Sequence, residues 1–286
     1  MLDGKKKDKN VPKDDRFTLG TLGAAQMRRE SPLAERLENA KMEEPRAKPY
    51  LREVRLDREQ IARPDAYPFS IPAVRALDGL TFHRDVTFLI GENGSGKSTL
   101  LEAIALAMGF GSEGGTRNMQ FKTAETVSTL HDHLRIRQSL GKPRDYFFLR
   151  AESFYNVATY ADEVGYLGGY EYKSLHSRSH GEAFLTILNH KLRGQGLYLF
   201  DEPEAALSPS RQMTALASIH SLVEDDSQFI IATHSPILLA YPRSKIVLLD
   251  ADGMREVRYE ETENYALTRR FLNDYQRMVE ELIRPE

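Results

Sequence analysis

The chain of 286 residues contains no cysteine. Disulfides, thiolate nucleophiles, cysteine-ligated zinc and iron–sulfur clusters are therefore excluded, and a chain without thiols suits a reducing compartment. It also lacks any apolar run near the ~20 residues that a membrane-spanning helix needs, and Met1 to Asn10 (MLDGKKKDKN) has no apolar stretch of the kind a secretory leader carries. The expectation is a soluble, cytoplasmic protein. Charge of one sign is missing too: 39 Lys and Arg stand against 42 Asp and Glu, a formal charge of −3, so no global field draws the chain toward nucleic acid or anionic lipid. There is no internal repeat and no low-complexity tract. Apolar residues make up 41%, which suits one compact domain with peripheral additions.

From Met1 to about Lys48 the chain is rich in Lys, Arg, Asp, Glu and Pro without sustained apolar periodicity, and reads as a flexible charged extension. The pattern changes at Tyr50. Tyr50 to Leu56 alternates like a half-buried strand, and short apolar runs follow at Val86 to Ile90, Tyr146 to Leu149, Leu197 to Phe200, Phe229 to Ala232 and Ile246 to Leu249. Helix-patterned segments lie between several of them, which predicts an α/β domain over 49–286 with a mostly parallel sheet flanked by helices. Residues from about 110 to 192 are polar, charged and punctuated by glycine, and are expected to form a small arm inserted into that domain. Near the end, Leu267, Phe271, Tyr275, Met278 and Leu282 recur at spacings of four and three, marking a helix over about 264–284 whose apolar face is expected to pack onto the domain.

Residues 91–99 read GENGSGKST, a complete match to G-x-x-x-x-G-K-S/T, preceded by the strand candidate VTFLI and followed by apolar helical spacing from Leu100 to Met108. The oxygens of a triphosphate carry several negative charges, and a tight glycine loop turns successive backbone N–H groups toward them. Gly91, Gly94 and Gly96 permit that backbone, and Glu92, Asn93 and Ser95 complete the loop. The helix beginning behind it adds unsatisfied N–H groups and the positive end of its dipole. Lys97 is placed to reach the β and γ phosphates, Ser98 to bind Mg²⁺, and Thr99 closes the motif.

Leu197 to Glu204 reads LYLFDEPE, a buried-strand pattern running directly into carboxylates. Parallel strands deliver such residues to the crevice at their carboxyl ends. Asp201 suits Mg²⁺, a hard cation that prefers oxygen ligands, and Glu202 suits a general base toward the water attacking the γ phosphate.

Together with two further segments, these elements resemble the ABC-type ATPases, in particular the soluble branch that includes the RecF and SMC proteins, over roughly Tyr50 to Asp250. Ser179-His180-Gly181-Glu182 stands where that family has LSGGQ, with Ser179 and Gly181 matching, His180 in place of glycine and Glu182 in place of glutamine. In the family this segment of one protomer caps the γ phosphate held by another. An ordinary helix cap, Ser179 with Glu182 as an S-x-x-E box, reads equally from the residues. Ala232-Thr233-His234-Ser235-Pro236 matches the family's switch-histidine loop, with His234 directed at the γ phosphate or the attacking water. Glu204 to Ser208 occupies the place of the D-loop, Ser208 standing where transporters commonly carry aspartate. For the metal-sensing glutamine the resemblance offers Glu152, after the strand at Tyr146 to Leu149, with Gln120 as a rival; Tyr67 and Phe69 are candidates for stacking on adenine.

The resemblance implies ATP and Mg²⁺ as cofactors, hydrolysis of ATP to ADP and phosphate, and a head-to-tail homodimer that ATP joins and hydrolysis releases. Two uses fit. One is a standalone soluble ATPase acting on DNA or in defence together with an effector protein; about eighty residues between Ser98 and Ser179 leave no room for the long coiled-coil arm of SMC-type relatives. The other is the ATP-binding subunit of a membrane transporter whose partner supplies the spans. Arg135, Arg137, Lys142, Arg144 and Arg150 form a basic cluster that reads either as a nucleic-acid contact or as solvated surface.

Overall fold

The computed structural model describes residues 48–111, 114–115, 128–150 and 180–284. Nine strands occur there: β1 (Leu51–Leu56), β2 (Leu80–Thr81), β3 (Val86–Ile90), β4 (Leu134–Gln138), β5 (Asp145–Arg150), β6 (Gly196–Asp201), β7 (Gln228–Ala232), β8 (Ser244–Asp250) and β9 (Gly253–Val257). The helices are α1 (Pro72–Arg75), α2 (Lys97–Ala107), α3 (His180–Thr186), α4 (Pro209–Glu224), α5 (Pro236–Leu239), α6 (Glu263–Asn273) and α7 (Tyr275–Ile283). A π turn, Ile187–Lys191, prolongs α3.

The central sheet has the order β5-β6-β7-β3-β8-β9. All its neighbouring strands run parallel except the β8–β9 hairpin. This is the α/β architecture expected from the sequence. Every residue of β3, β6 and β7 is buried, as a parallel sheet covered on both faces requires. Side chains alternate between the faces. Val86, Phe88 and Ile90 of β3 and Tyr198 and Phe200 of β6 join α3, α4 and α5 in one core, through Phe184, Ile219 and Leu239 among others. Leu89, Leu197 and Leu199 point the opposite way, into a core with Leu100, Leu101 and Ile104 of α2. Each large apolar side chain so buried contributes about 1.5–3 kcal/mol.

The strand expected at Tyr50 to Leu56 forms, but outside the parallel sheet. It is the centre of a second, antiparallel sheet of order β2-β1-β4, whose Leu51, Val54 and Leu80 cover the α2 side of the core. The register of β1 against β4 shifts between Leu51 and Glu53, so the burial pattern departs from strict alternation. β4 and β5 both fall inside the span expected as an arm, and each completes a sheet; residues 116–127 and 151–179 of that span lie outside the described residues. Lys48, the last residue of the expected extension, is built into the domain: its ammonium is 2.9 Å from the Asp85 carboxylate and both side chains are buried.

The C-terminal segment departs from expectation. Asp274, with φ −144° and ψ 40°, separates α6 from α7, and the stripe stays in solvent: Leu267 is 54%, Tyr275 53% and Leu282 79% exposed. The exposure begins before the break, since Leu267 and Phe271 of α6 already face solvent. Among the described residues no helix is long and apolar enough to cross a membrane.

Candidate functional site

Three loops leave the carboxyl ends of neighbouring strands, where open α/β sheets bind ligands. Register brings them level. Leu89 of β3 lies beside Ala232 of β7, and Ala232 beside Asp201 of β6. The ladder continues one step past the strands, with the Thr233 N–H donating to Leu89 O at 3.2 Å and the Glu202 N–H to Ala232 O at 2.9 Å.

The loop after β3 adopts backbone that glycine favours. Gly91 has φ +146°, and a Cβ there would lie 2.2 Å from Leu249 O. Gly96, at φ +99°, caps α2, and a Cβ on it would lie 2.8 Å from the Ile71 side chain. Gly94, at φ +81°, faces open space. Lys97 opens α2 and is buried, its ammonium donating to Gly91 O at 2.9 Å and Glu92 O at 3.0 Å. Burial lowers its pKa from the ordinary lysine value, and the carboxylates of Glu202, Asp201 and Glu204 oppose that shift. The Ser98 hydroxyl donates to Asp201 Oδ1 at 3.0 Å. That single bond joins the phosphate loop to the acidic strand end across more than a hundred residues of chain.

Glu202 sits at φ +49°, a left-handed conformation uncommon for a residue with a Cβ and characteristic of functional sites. Its Oε1 is 3.7 Å from His234 Nε2. The Nε2 atom is shielded from solvent and has no hydrogen-bond partner; Ser95 Oγ, in the phosphate loop, is in the same state. A cavity of about 730 Å³ adjoins, lined in part by Gly91 to Ser95, His234 and Asn264.

The remaining sequence candidates separate. Ser179, Glu152 and Gln120 lie outside the described residues. Gly181 lies in the first turn of α3, where a Cβ would come within 2.6 Å of Ala206 O and 2.8 Å of Arg211 Nη1, so close packing within the chain itself requires glycine there. Glu182 is ion-paired to Arg211 at 3.0 Å. Phe69 belongs to the core and stacks edge-on against His133. Tyr67 is 67% exposed, and its hydroxyl is 3.4 Å from Thr99 Oγ1 at the phosphate loop. In the basic cluster, Arg135 pairs with Asp57, Arg137 with Glu53 and Arg150 with Glu102, which cancels much of the charge a polyanion would need.

Two site residues escaped the motif reading. Glu204 accepts the His234 N–H at 2.5 Å, and Asn264 Nδ2 donates to His234 O at 2.8 Å. Glu204 opens the segment read as the D-loop without its contact to His234 being foreseen, and nothing local marks Asn264.

Residues 70–156, which include the phosphate loop, match a family model described as AAA domain. Over that stretch, just under a third of its length, the chain is similar to this family. Similar solved structures include an Smc head bound to the C-winged helix domain of ScpA, 13% identical with a TM-score of 0.42, covering 73% of this chain and 97% of that one. CbiO1 from Clostridium perfringens, part of the ABC transporter complex CbiONQ, is 19% identical with a TM-score of 0.40, covering 70% and 90%. MJ1267, an ATP-binding cassette of an ABC transporter, is 19% identical in its ADP conformation with a TM-score of 0.39, covering 70% and 92%. Comparison with curated proteins gives no match.

The donor set of this site fits nucleotide and magnesium. Gly94 leaves open space, and Ser95 Oγ is unpartnered. Ser98 and Asp201 offer two hard oxygen ligands of the kind Mg²⁺ takes alongside phosphate and water. No cluster of three or more His, Cys, Asp or Glu that could hold a metal occurs among the described residues.

Proposed function

We propose that this protein is a Mg²⁺-dependent, soluble ATPase of the cytoplasm that hydrolyses ATP to ADP and phosphate and uses the reaction as a dimer switch. The observation that carries the reading is the 3.0 Å bond from Ser98 to Asp201, which sets the phosphate loop against the acidic end of β6. The loop's main-chain N–H groups and those of the first turn of α2 bind the phosphates. Lys97, now held by Gly91 O and Glu92 O, compensates the charge of the β and γ phosphoryl groups. Ser98 and Asp201 would hold a magnesium ion, which would supply charge neutralisation at the phosphate oxygens.

Glu202 orients a water molecule and accepts its proton as the water oxygen bonds to the γ phosphorus and the bond to the β-phosphate oxygen breaks, releasing ADP. His234 Nε2, beside Glu202 and without a partner of its own, hydrogen-bonds the water or the γ phosphate. Catalysis rests on position and charge, because phosphoryl transfer asks for little covalent participation by the protein. Two copies meet head to tail on ATP, with Ser179 and Gly181 of each facing the nucleotide of the other. The switch acts through a soluble effector or on nucleic acid.

Glu202→Gln tests this reading because it preserves size and removes the base. Turnover is expected to fall about 10²–10⁴-fold with ATP affinity retained, and an ATP-dependent dimer should accumulate in size-exclusion chromatography. Turnover within threefold of wild type, on the order of 0.65 kcal/mol in barrier, would remove Glu202 from its role.

A further inference from the structure

His234 is held by its backbone from both sides. Its N–H donates to Glu204 Oε1 at 2.5 Å, from the turn that follows the acidic pair, and its C=O accepts from Asn264 Nδ2 at 2.8 Å, from the first turn of α6. The flanking residues are fixed as well. Thr233 N–H bonds to Leu89 O, Ser235 N–H bonds to Thr233 Oγ1 at 3.0 Å, and Ser235 Oγ donates to Gln212 Oε1 at 2.6 Å. α6 is itself registered on this loop by a second contact, Tyr259 OH donating to Pro236 O at 2.9 Å, just ahead of the helix that Thr262 caps. The imidazole, by contrast, has Nε2 without a hydrogen-bond partner, 3.7 Å from Glu202 Oε1. No hydrogen bond at that nitrogen holds the ring in place, and the backbone contacts fix the point from which the ring projects. Groups at a reacting centre need placement to within about 0.5 Å.

Resting on the reading of His234 given above, we infer that Asn264 and Glu204 are positioning residues for ATP hydrolysis, clamping the His234 backbone so that its imidazole faces Glu202 and the attacking water. The two partners come from different parts of the chain. Glu204 ties the histidine to the strand end that carries Asp201 and Glu202. Asn264 ties it to the C-terminal helical pair, most of whose apolar residues stay in solvent. The chemistry of each contact is specific. A carboxamide supplies the N–H that a carbonyl oxygen needs, whereas an aspartate of the same shape has no donor and sets like partial charges against each other. At 204 any acceptor oxygen satisfies the N–H, so glutamine serves where alanine does not.

The test is steady-state ATP hydrolysis by the full chain as wild type, Asn264→Ala, Asn264→Asp, His234→Ala and the double variant His234→Ala/Asn264→Ala, with Glu204→Gln and Glu204→Ala alongside. Thermal unfolding and binding of a fluorescent ATP analogue accompany each. A displacement of about 1 Å at a reacting centre costs on the order of 10²-fold, so both Asn264 variants are expected to lose about ten- to a hundredfold in kcat with KM for ATP within about twofold. In the His234→Ala background Asn264→Ala should remove less than about twofold more, because the imidazole it aims is gone. Glu204→Gln should retain most of the turnover that Glu204→Ala loses. Asn264→Asp keeps the shape and serves if Asn264→Ala does not fold. Wild-type kcat in Asn264→Asp, or an equal loss with and without His234, or a KM that rises in step, overturns the inference while leaving the proposed function standing. Wild-type turnover in His234→Ala overturns the role of the histidine itself, and the clamp with it.

Discussion

Asp85, just ahead of β3, lies at the end of the sheet opposite the site, and its replacement should separate stability from catalysis. Its side chain is 3% exposed. The Lys48 ammonium lies 2.9 Å from one oxygen, and Arg243 Nε donates to the other at 2.8 Å. Lys48, itself 2% exposed at the side chain, also donates to Val223 O at 2.8 Å and Ser227 O at 3.2 Å. The cluster therefore ties the starts of β3, β7 and β8 to the end of α4. In Asp85→Asn the Lys48 charge stays buried with carbonyl oxygens and a neutral amide for company. Removing one partner of a buried ion pair costs about 3–5 kcal/mol, and at about 2–4 °C per kcal/mol for a domain of this size the melting midpoint should fall by about 6–20 °C.

Burial alone would raise the Asp85 carboxyl, but Lys48 and Arg243 outweigh it and hold the carboxyl below the ordinary carboxylate value. A carboxyl lowered in the fold contributes its full stabilisation above the unfolded pKa of about 4 and loses it as pH falls through the lower folded value. The gap between wild type and variant should thus be complete at neutral pH and close in acid. Calorimetry or circular dichroism across pH reads both, and ATP turnover below the melting range reads the site. A five-residue strand spans about 17 Å, so turnover per folded molecule should stay at the wild-type level. A midpoint drop under about 3 °C at neutral pH, or a turnover loss like that of Glu202→Gln, would refute the reasoning.

Within the phosphate loop, Gly94→Ala and Gly91→Ala should diverge although both sites have positive φ. At Gly94 there is room, and the cost is left-handed strain of about 1–2 kcal/mol, visible as a small drop in melting midpoint with nucleotide binding retained. At Gly91 the new Cβ would meet Leu249 O at 2.2 Å, so the loop must move and binding of a fluorescent ATP analogue should be lost; retained binding would show that the loop tolerates the shift. The exposed C-terminal residues make the opposite prediction. Leu282→Ser and Ile283→Ser should each change the urea unfolding free energy by less than about 0.5 kcal/mol, and a loss above about 2 kcal/mol would place those side chains in a core.

Much of the fold was legible because its signals are short-range. The five strands β3, β5, β6, β7 and β8 are apolar runs, and such runs with helices between them form a covered parallel sheet. β2, β4 and β9 were missed because two residues, or the charged LRIRQ and GMREV, carry no apolar run. β1 was found, but its sheet was not, since alternation along a strand says nothing about which strand pairs with it. The apolar period at Leu267 to Leu282 marked helix and missed the break at Asp274, because the period is the same whether or not the stripe finds a partner.

What the amino-acid order alone determined is the phosphate loop and the chemistry of the strand ends: glycines at left-handed positions, lysine and serine opening a helix, and two carboxylates closing a strand are all set within a few residues of one another. The tertiary structure decided which distant groups those residues meet. Strand order brings Asp201 to Ser98, the seat of α6 brings Asn264 to His234, and the approach of Ala206 and Arg211 makes glycine necessary at 181. The backbone of a tight loop depends on its immediate neighbours in the chain, whereas a side chain's contacts depend on packing of the whole domain, which no single segment encodes.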